Sequence, residues 1–138
     1  MMKNKTLFFL ILNLIFTPIF AQTPISNFDK AMDYQAQEDY YLASQYYLEV
    51  VNENPAFTEA WYNLALCSYK IGEFNIALNY LENAKKYKKD DTKILNLQGL
   101  VLTSLGRESG AKEIFNSILK SYPNDVDAHF GLAELELL

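Results

Sequence analysis

One spacing governs this sequence. Ala43, Ala77 and Ala111 stand 34 residues apart, and so do Gly72 and Gly106. Pro55 and Pro123 are separated by twice that interval, with Lys89 at the midpoint. Ala31, Ala65, Gly99 and Ala133 form a series of small residues at the same interval. Tyr47, Leu81 and Phe115 form a large apolar series, and Val50, Ala84 and Ile118 another. Series that share one register mean a chain assembled from copies of a single part. Such a part cannot bury its apolar face alone and is stabilised by stacking on its neighbours. A quasi-linear array therefore replaces the single compact core that 138 residues would otherwise suggest.

Each copy reads as two helices. Trp61, Leu64, Ala65 and Ser68 fall at i, i+3, i+4 and i+7, the buried stripe of a first helix. Gly72 then permits a positive φ in a tight turn. Phe74, Ala77, Leu81 and Ala84 mark the buried face of a second helix. Thr58 and Thr92 are expected to cap the first helices of their units, and Thr23 followed by Pro24 to open the first of all. Pro55 and Pro123 end second helices, because proline cannot continue one. The small residues let two helices approach, so Ala31 is expected to meet Ala43, Ala65 to meet Ala77, and Gly99 to meet Ala111.

The run Trp61-x2-Leu64-Ala65 … Gly72-x-Phe74-x2-Ala77-x3-Leu81-x2-Ala84 resembles a tetratricopeptide repeat. A third unit matches through Gly99, Leu102, Gly106, Ala111, Phe115, Ile118 and Pro123, and a first through Ala31, Tyr34, Tyr40, Ala43, Tyr47 and Pro55. Four positions depart from the pattern. Glu38 stands for glycine, Lys89 for the closing proline and Glu108 for an aromatic, and Gly110 lies inside a helix. The resemblance implies an all-α, right-handed solenoid of about three and a half repeats and seven helices. The repeats would span about 24–57, 58–91 and 92–125, with a half repeat at 126–138, in a domain over residues 22–138.

The resemblance also implies an interaction scaffold whose first helices line a concave face that holds a partner peptide. The second, fifth, ninth and twelfth positions of each repeat would form that face. They are Ile25, Phe28, Met32 and Gln35; Glu59, Tyr62, Leu66 and Tyr69; Lys93, Asn96, Leu100 and Thr103; and Asp127, Phe130, Glu134 and Leu137. The groove residues proper would be Phe28, Met32, Gln35, Tyr62, Leu66, Tyr69, Asn96, Leu100 and Phe130. An apolar stripe on a solvent-facing surface marks a binding site, and tyrosine suits one because it joins apolar area to a polar tip. One branch of the family grips the carboxyl terminus of chaperones with a basic clamp. Asn63 and Lys93 fit two of its positions, but Phe28, Met32 and Leu97 stand where lysine, asparagine and a basic residue are needed, so that activity is rejected.

Other groups offer less chemistry. A single Cys excludes an internal disulfide and any cysteine-cluster metal site, and a single His excludes a multi-histidine one. No phosphate loop or nucleophile elbow is present. No catalytic residue, cofactor or metal is expected. Cys67 falls at a buried repeat position, and His129 takes the place of Trp61 and Leu95 in its own unit. The run Lys85-Lys86-Tyr87-Lys88-Lys89 ends a helix, where cations complement the dipole, and Asp90-Asp91 follow it.

The amino terminus has a different design. Lys3 and Lys5 precede an apolar run from Leu7 to Phe16, then Pro18 and a small residue at Ala21. That is the layout of a secretory signal peptide over residues 1–21. The apolar run is shorter than the roughly 20 residues a membrane-spanning helix needs. Residues 22–138 hold all 17 acidic groups and 10 of the 12 basic ones, a net charge of −7. That sign argues against nucleic acid as a partner. The sequence thus reads as an exported bacterial-type repeat protein of the periplasm or exterior: a non-catalytic scaffold for a protein or peptide partner in the cell envelope. The alternative is a membrane-tethered structural subunit that keeps its leader, the one case with membrane contact. Leu132, Leu135 and Leu138 on the last helix add an expectation of docking or self-association there.

Overall fold

The structure is a computed structural model and describes residues 26–137. The expected leader over 1–21, and Thr23 and Pro24, lie outside the described residues. Among the described residues there are seven helices and no strands. They are α1 (Asn27–Ala36), α2 (Tyr40–Glu53), α3 (Thr58–Lys70), α4 (Phe74–Lys85), α5 (Thr92–Ser104), α6 (Glu108–Ser121) and α7 (Val126–Leu135). None of them is long and apolar enough to cross a membrane. Consecutive helices pack as antiparallel hairpins, and each hairpin stacks on the next to give an all-α solenoid.

The turns explain the glycine spacing. Gly72 and Gly106 adopt φ of 82° and 69°, the left-handed region that a side chain resists. Glu38 occupies the equivalent point of the first hairpin at φ 61°, so the backbone keeps its shape without the favourable residue. The second helices begin at Tyr40, Phe74 and Glu108, in register even where Glu108 replaces the aromatic. Helix α4 is the shortest of the three, with 12 residues against 14.

The caps differ from the sequence expectation by one residue. Thr58 and Thr92 are the first helical residues of α3 and α5, not their caps. Asp91 caps α5, its carboxylate accepting from the Lys93 and Ile94 amides. Asp125 does the same for α7 through Ala128 N–H, and Ser26 caps α1 through Asp29 N–H. The physical reason lies in the backbone. Asp91 is still extended at φ −71°, ψ 117°, so its short side chain can curl back onto the first turn. Phe57 precedes α3 and makes no side-chain cap.

The core runs the length of the stack in three linked clusters. Ala31, Ala43, Tyr47, Val50, Val51, Ala60, Leu64 and Cys67 form the first. Ala65, Ala77, Leu81, Ala84, Ile94, Leu97 and Val101 form the second. Ala111, Phe115, Ile118 and Ala128 close the third. Gly99 is buried, and the Phe115 ring crowds it: a β-carbon there would lie 2.5 Å from the ring. Ala133 is exposed, unlike its repeat partners Ala31 and Ala65, because no second helix stacks against that side of α7 among the described residues.

Candidate functional site

Helix α5 contacts both α3 and α7, whereas the second helices do not approach one another to that extent. The helices that meet are first helices of their hairpins, the ones expected to line the concave face. Their shared face is the candidate site from Phe28 onward, since Ile25 lies outside the described residues.

The nine groove residues differ in what they offer a ligand. Met32 and Phe130 stand open to solvent, 49% and 61% exposed. Tyr62, Leu66 and Tyr69 are half-buried against the second cluster, and Leu100 against the third. Phe28 turns its ring into the first cluster, edge-on to Tyr47 at 5.6 Å and beside Phe57 at 4.8 Å. Gln35 is held from behind: the Tyr47 hydroxyl donates to its Oε1 at 2.7 Å. Asn96 is 6% exposed, its Nδ2 donating to Asp125 Oδ1 at 3.0 Å, while its own Oδ1 is buried without a partner. Asn96 therefore ties α5 to the capping residue of α7, which fixes the angle between two groove-lining helices.

Burial raises the Tyr62 hydroxyl above its ordinary pKa, and the nearby carboxylates of Asp127 and Asp91 add to the shift. Tyr62 is therefore a neutral phenol under a negative field. At the carboxyl-terminal end of the face, Tyr69, Leu100, Thr103, Ser104, Glu134 and Leu137 surround a depression of about 510 Å³. Ser104 is the one of these that the repeat positions did not include. It follows Thr103 on α5 and borders the depression beside it. A second depression, about 500 Å³, lies between α6 and α7 and carries Glu108, Lys112 and Glu136.

The residues with the most chemical potential elsewhere are tied into the framework. Cys67 is fully buried, and desolvation pushes its thiol up to about 12. The Trp61 indole N–H donates to the Pro55 carbonyl at 2.8 Å. His129 Nε2 lies 2.9 Å from the Pro123 carbonyl. A carbonyl can only accept, so this nitrogen carries the proton. The two bonds are repeat equivalents, a ring N–H on a first helix tying down the proline that precedes it. In the lysine run, Lys85 bonds Glu82 at 3.1 Å and Gln98 at 3.2 Å, and Lys86 bonds Asn83.

Comparison with known proteins agrees with this geometry. Three family models, each described as a tetratricopeptide repeat, match residues 28–74, 58–91 and 97–125. The "Protein CTR9 homolog" of Arabidopsis thaliana is 28% identical over 114 residues, 80% of this chain. The chain spans only about a tenth of that protein's length. Among solved structures, the second TPR domain of human RPAP3, in complex with an HSP70 peptide, superposes with a TM-score of 0.76 at 22% identity. That match covers 81% of this chain and 93% of the other. The first TPR of Spaghetti (RPAP3), bound to an HSP90 peptide, gives 0.75 at 21%, covering 80% and 88%. At those identities the likeness establishes the fold. With family matches in every full hairpin and a seven-helix solenoid among the described residues, the chain is built of tetratricopeptide repeats.

Proposed function

We propose that this chain is a non-catalytic scaffold that holds an extended, apolar or aromatic-bearing peptide segment of a partner protein along α1, α3, α5 and α7. The observation that carries the reading is the inner face itself. It presents Met32, Tyr62, Leu66, Tyr69, Leu100 and Phe130 to solvent in whole or part, where an unliganded soluble surface would carry charge. Two solved TPR domains that share the fold are in complex with HSP70 and HSP90 peptides, so the same architecture accommodates peptide chains. Those peptides end in Glu-Glu-Val-Asp. This chain places Phe28, Met32 and Leu97 where a basic clamp would need polar or basic groups, so its ligand is of another kind. The absence of a catalytic role rests on the lone His129 and Cys67, each committed to the framework.

We place the scaffold in the cell envelope. Support comes from the basic, apolar and small-residue order of residues 1–21 together with the repeat architecture of the rest. The test for the groove uses substitutions that remove ligand contacts while sparing the core. Met32→Ser and Phe130→Ser together abolish binding of peptides selected on the wild-type chain and leave the thermal midpoint within a few degrees of wild type. Full binding by this variant rejects the groove. Edman sequencing of the protein recovered from its own cell tests the address: a start at Gln22 is expected, and a start at Met1 or Met2 favours the tethered subunit instead.

A further inference from the structure

We propose that the depression between α3, α5 and α7, lined by Tyr69, Leu100, Thr103, Ser104, Glu134 and Leu137, receives a lysine or arginine side chain of the bound peptide, with Glu134 as its counter-ion. This rests on the groove reading and adds the chemistry of one subsite.

Three of the six lining residues, Thr103, Ser104 and Glu134, offer acceptors. The Thr103 hydroxyl donates to the Gly99 carbonyl at 3.0 Å, and the Ser104 hydroxyl to the Leu100 carbonyl at 3.1 Å. Their hydrogens are spent, and lone pairs remain to face a ligand. The Glu134 carboxylate can only accept. No lysine, arginine or histidine lines the depression. Among the described residues Glu134 has no cation within ion-pair distance. The second depression differs on this point, because Lys112 already sits there with Glu108 and Glu136.

The remaining walls suit the same guest. Tyr69 is braced by Phe74 at 5.7 Å between ring centres, and it offers an aromatic surface to a cation. Leu100 and Leu137 would cover the aliphatic stem of a long basic side chain, as such stems prefer. The volume, about 510 Å³, exceeds one such side chain and leaves room for adjoining backbone. At longer range, residues 22–138 carry a net charge of −7, which attracts a cationic peptide to the domain. An acidic tail would meet repulsion from Glu134 and from the net charge.

A random heptapeptide library selected on the full chain tests the subsite. A selected peptide is then labelled with fluorescein and titrated by polarisation against wild type and Glu134→Gln. The same titrations are repeated with its basic residue replaced by norleucine. The expected result is enrichment of Lys or Arg beside apolar residues. The Glu134→Gln change and the norleucine change should each weaken binding about tenfold, and together no more than either alone. Selection of apolar peptides without a basic residue overturns the subsite and leaves the groove standing, as does equal binding by Glu134→Gln. If nothing selected is lost on Met32→Ser/Phe130→Ser, the groove itself fails and the subsite with it. The norleucine arm needs no protein variant, so the subsite is judged even if Glu134→Gln perturbs α7.

Discussion

The ring of Phe115 on α6 occupies the space that a side chain at Gly131 on α7 would need. A β-carbon built on Gly131 falls inside contact distance of three atoms of that ring, and one on Gly99 falls 2.5 Å from two of them. Repeat equivalents explain the arrangement. Leu81 stands one repeat before Phe115 and Leu97 one before Gly131, and both leucines belong to the second cluster. Where the large residue grew to Phe115, its neighbour shrank to Gly131.

Two glycine-to-alanine substitutions should therefore differ in sign. Gly110 sits inside α6, and a β-carbon there would meet only Leu102 Cδ1 at 3.6 Å, an ordinary contact. Gly110→Ala should stabilise the domain by about 1 kcal/mol through helix propensity alone. Gly131→Ala gains the same propensity but must displace a buried ring, at about 1–3 kcal/mol, and should be destabilising overall. Phe115→Leu is destabilising by itself, yet combined with Gly131→Ala it should cost less than the two single changes added. Urea unfolding of the four variants checks the signs and the coupling.

The left-handed residue of the first turn gives a second test. Glu38 at φ 61° bears a strain that Gly72 and Gly106 avoid. The conformation costs a residue with a β-carbon about 1–2 kcal/mol, and glycine returns part of that gain to the flexible unfolded chain. Glu38→Gly should stabilise by roughly 0.5–1 kcal/mol, and Gly72→Ala should destabilise by a similar amount. Thermal melts of both variants measure it.

Asp125 does two jobs at once. Its Oδ1 accepts from Ala128 N–H at 2.9 Å, capping α7, and from Asn96 Nδ2 at 3.0 Å, joining α7 to α5. Asp125→Ala removes the cap, worth about 1 kcal/mol, and strands a buried amide, worth about 1–3 kcal/mol. Asp91→Ala removes only a cap and should cost the smaller amount. Hydrogen exchange should show the first opening of Asp125→Ala in α7.

Alkaline pH should unfold the domain. Burial pushes the Cys67 thiol up to about 12 from 9.0, and it raises the hydroxyls of Tyr47, Tyr62 and Tyr80 above their ordinary 10.0. A folded-state pKa raised above the unfolded value means that the native state holds the proton more tightly. That stabilisation is complete below about pH 9 and is lost as pH rises toward 12. Urea midpoints should be level from pH 7 to 8.5 and fall beyond. At pH 8 a thiol reagent should modify Cys67 only as fast as the domain opens. Immediate modification would contradict its burial.

How much of this was legible in the sequence follows from the range of each interaction. The hairpins could be read because Gly72 and Gly106 encode a local turn, and Ala43, Ala77 and Ala111 a pairwise approach. Caps were displaced by one residue because Asp91 and Thr92 are adjacent and both can cap; only the extended backbone at Asp91 decides between them. The pairing of Gly99 with Phe115 depends on three helices meeting, which no single period encodes. On the inner face, position alone did not reveal that Phe28 would pack on Phe57 or that Asn96 would be taken by Asp125. Glu134 and Thr103 stood in the expected stripe, but their convergence with Ser104 and Tyr69 around one depression depends on how the helices pack.

The inner face is the central claim, and a photo-crosslinking amino acid tests it directly in the native cell. It is placed at Phe130 or Met32 on the first helices, and in separate variants at Tyr41 or Ile76 on the second helices, all four exposed. The account predicts a discrete crosslinked protein from Phe130 and Met32 that Tyr41 and Ile76 do not give. The same product from all four positions, or from Tyr41 and Ile76 alone, would contradict it.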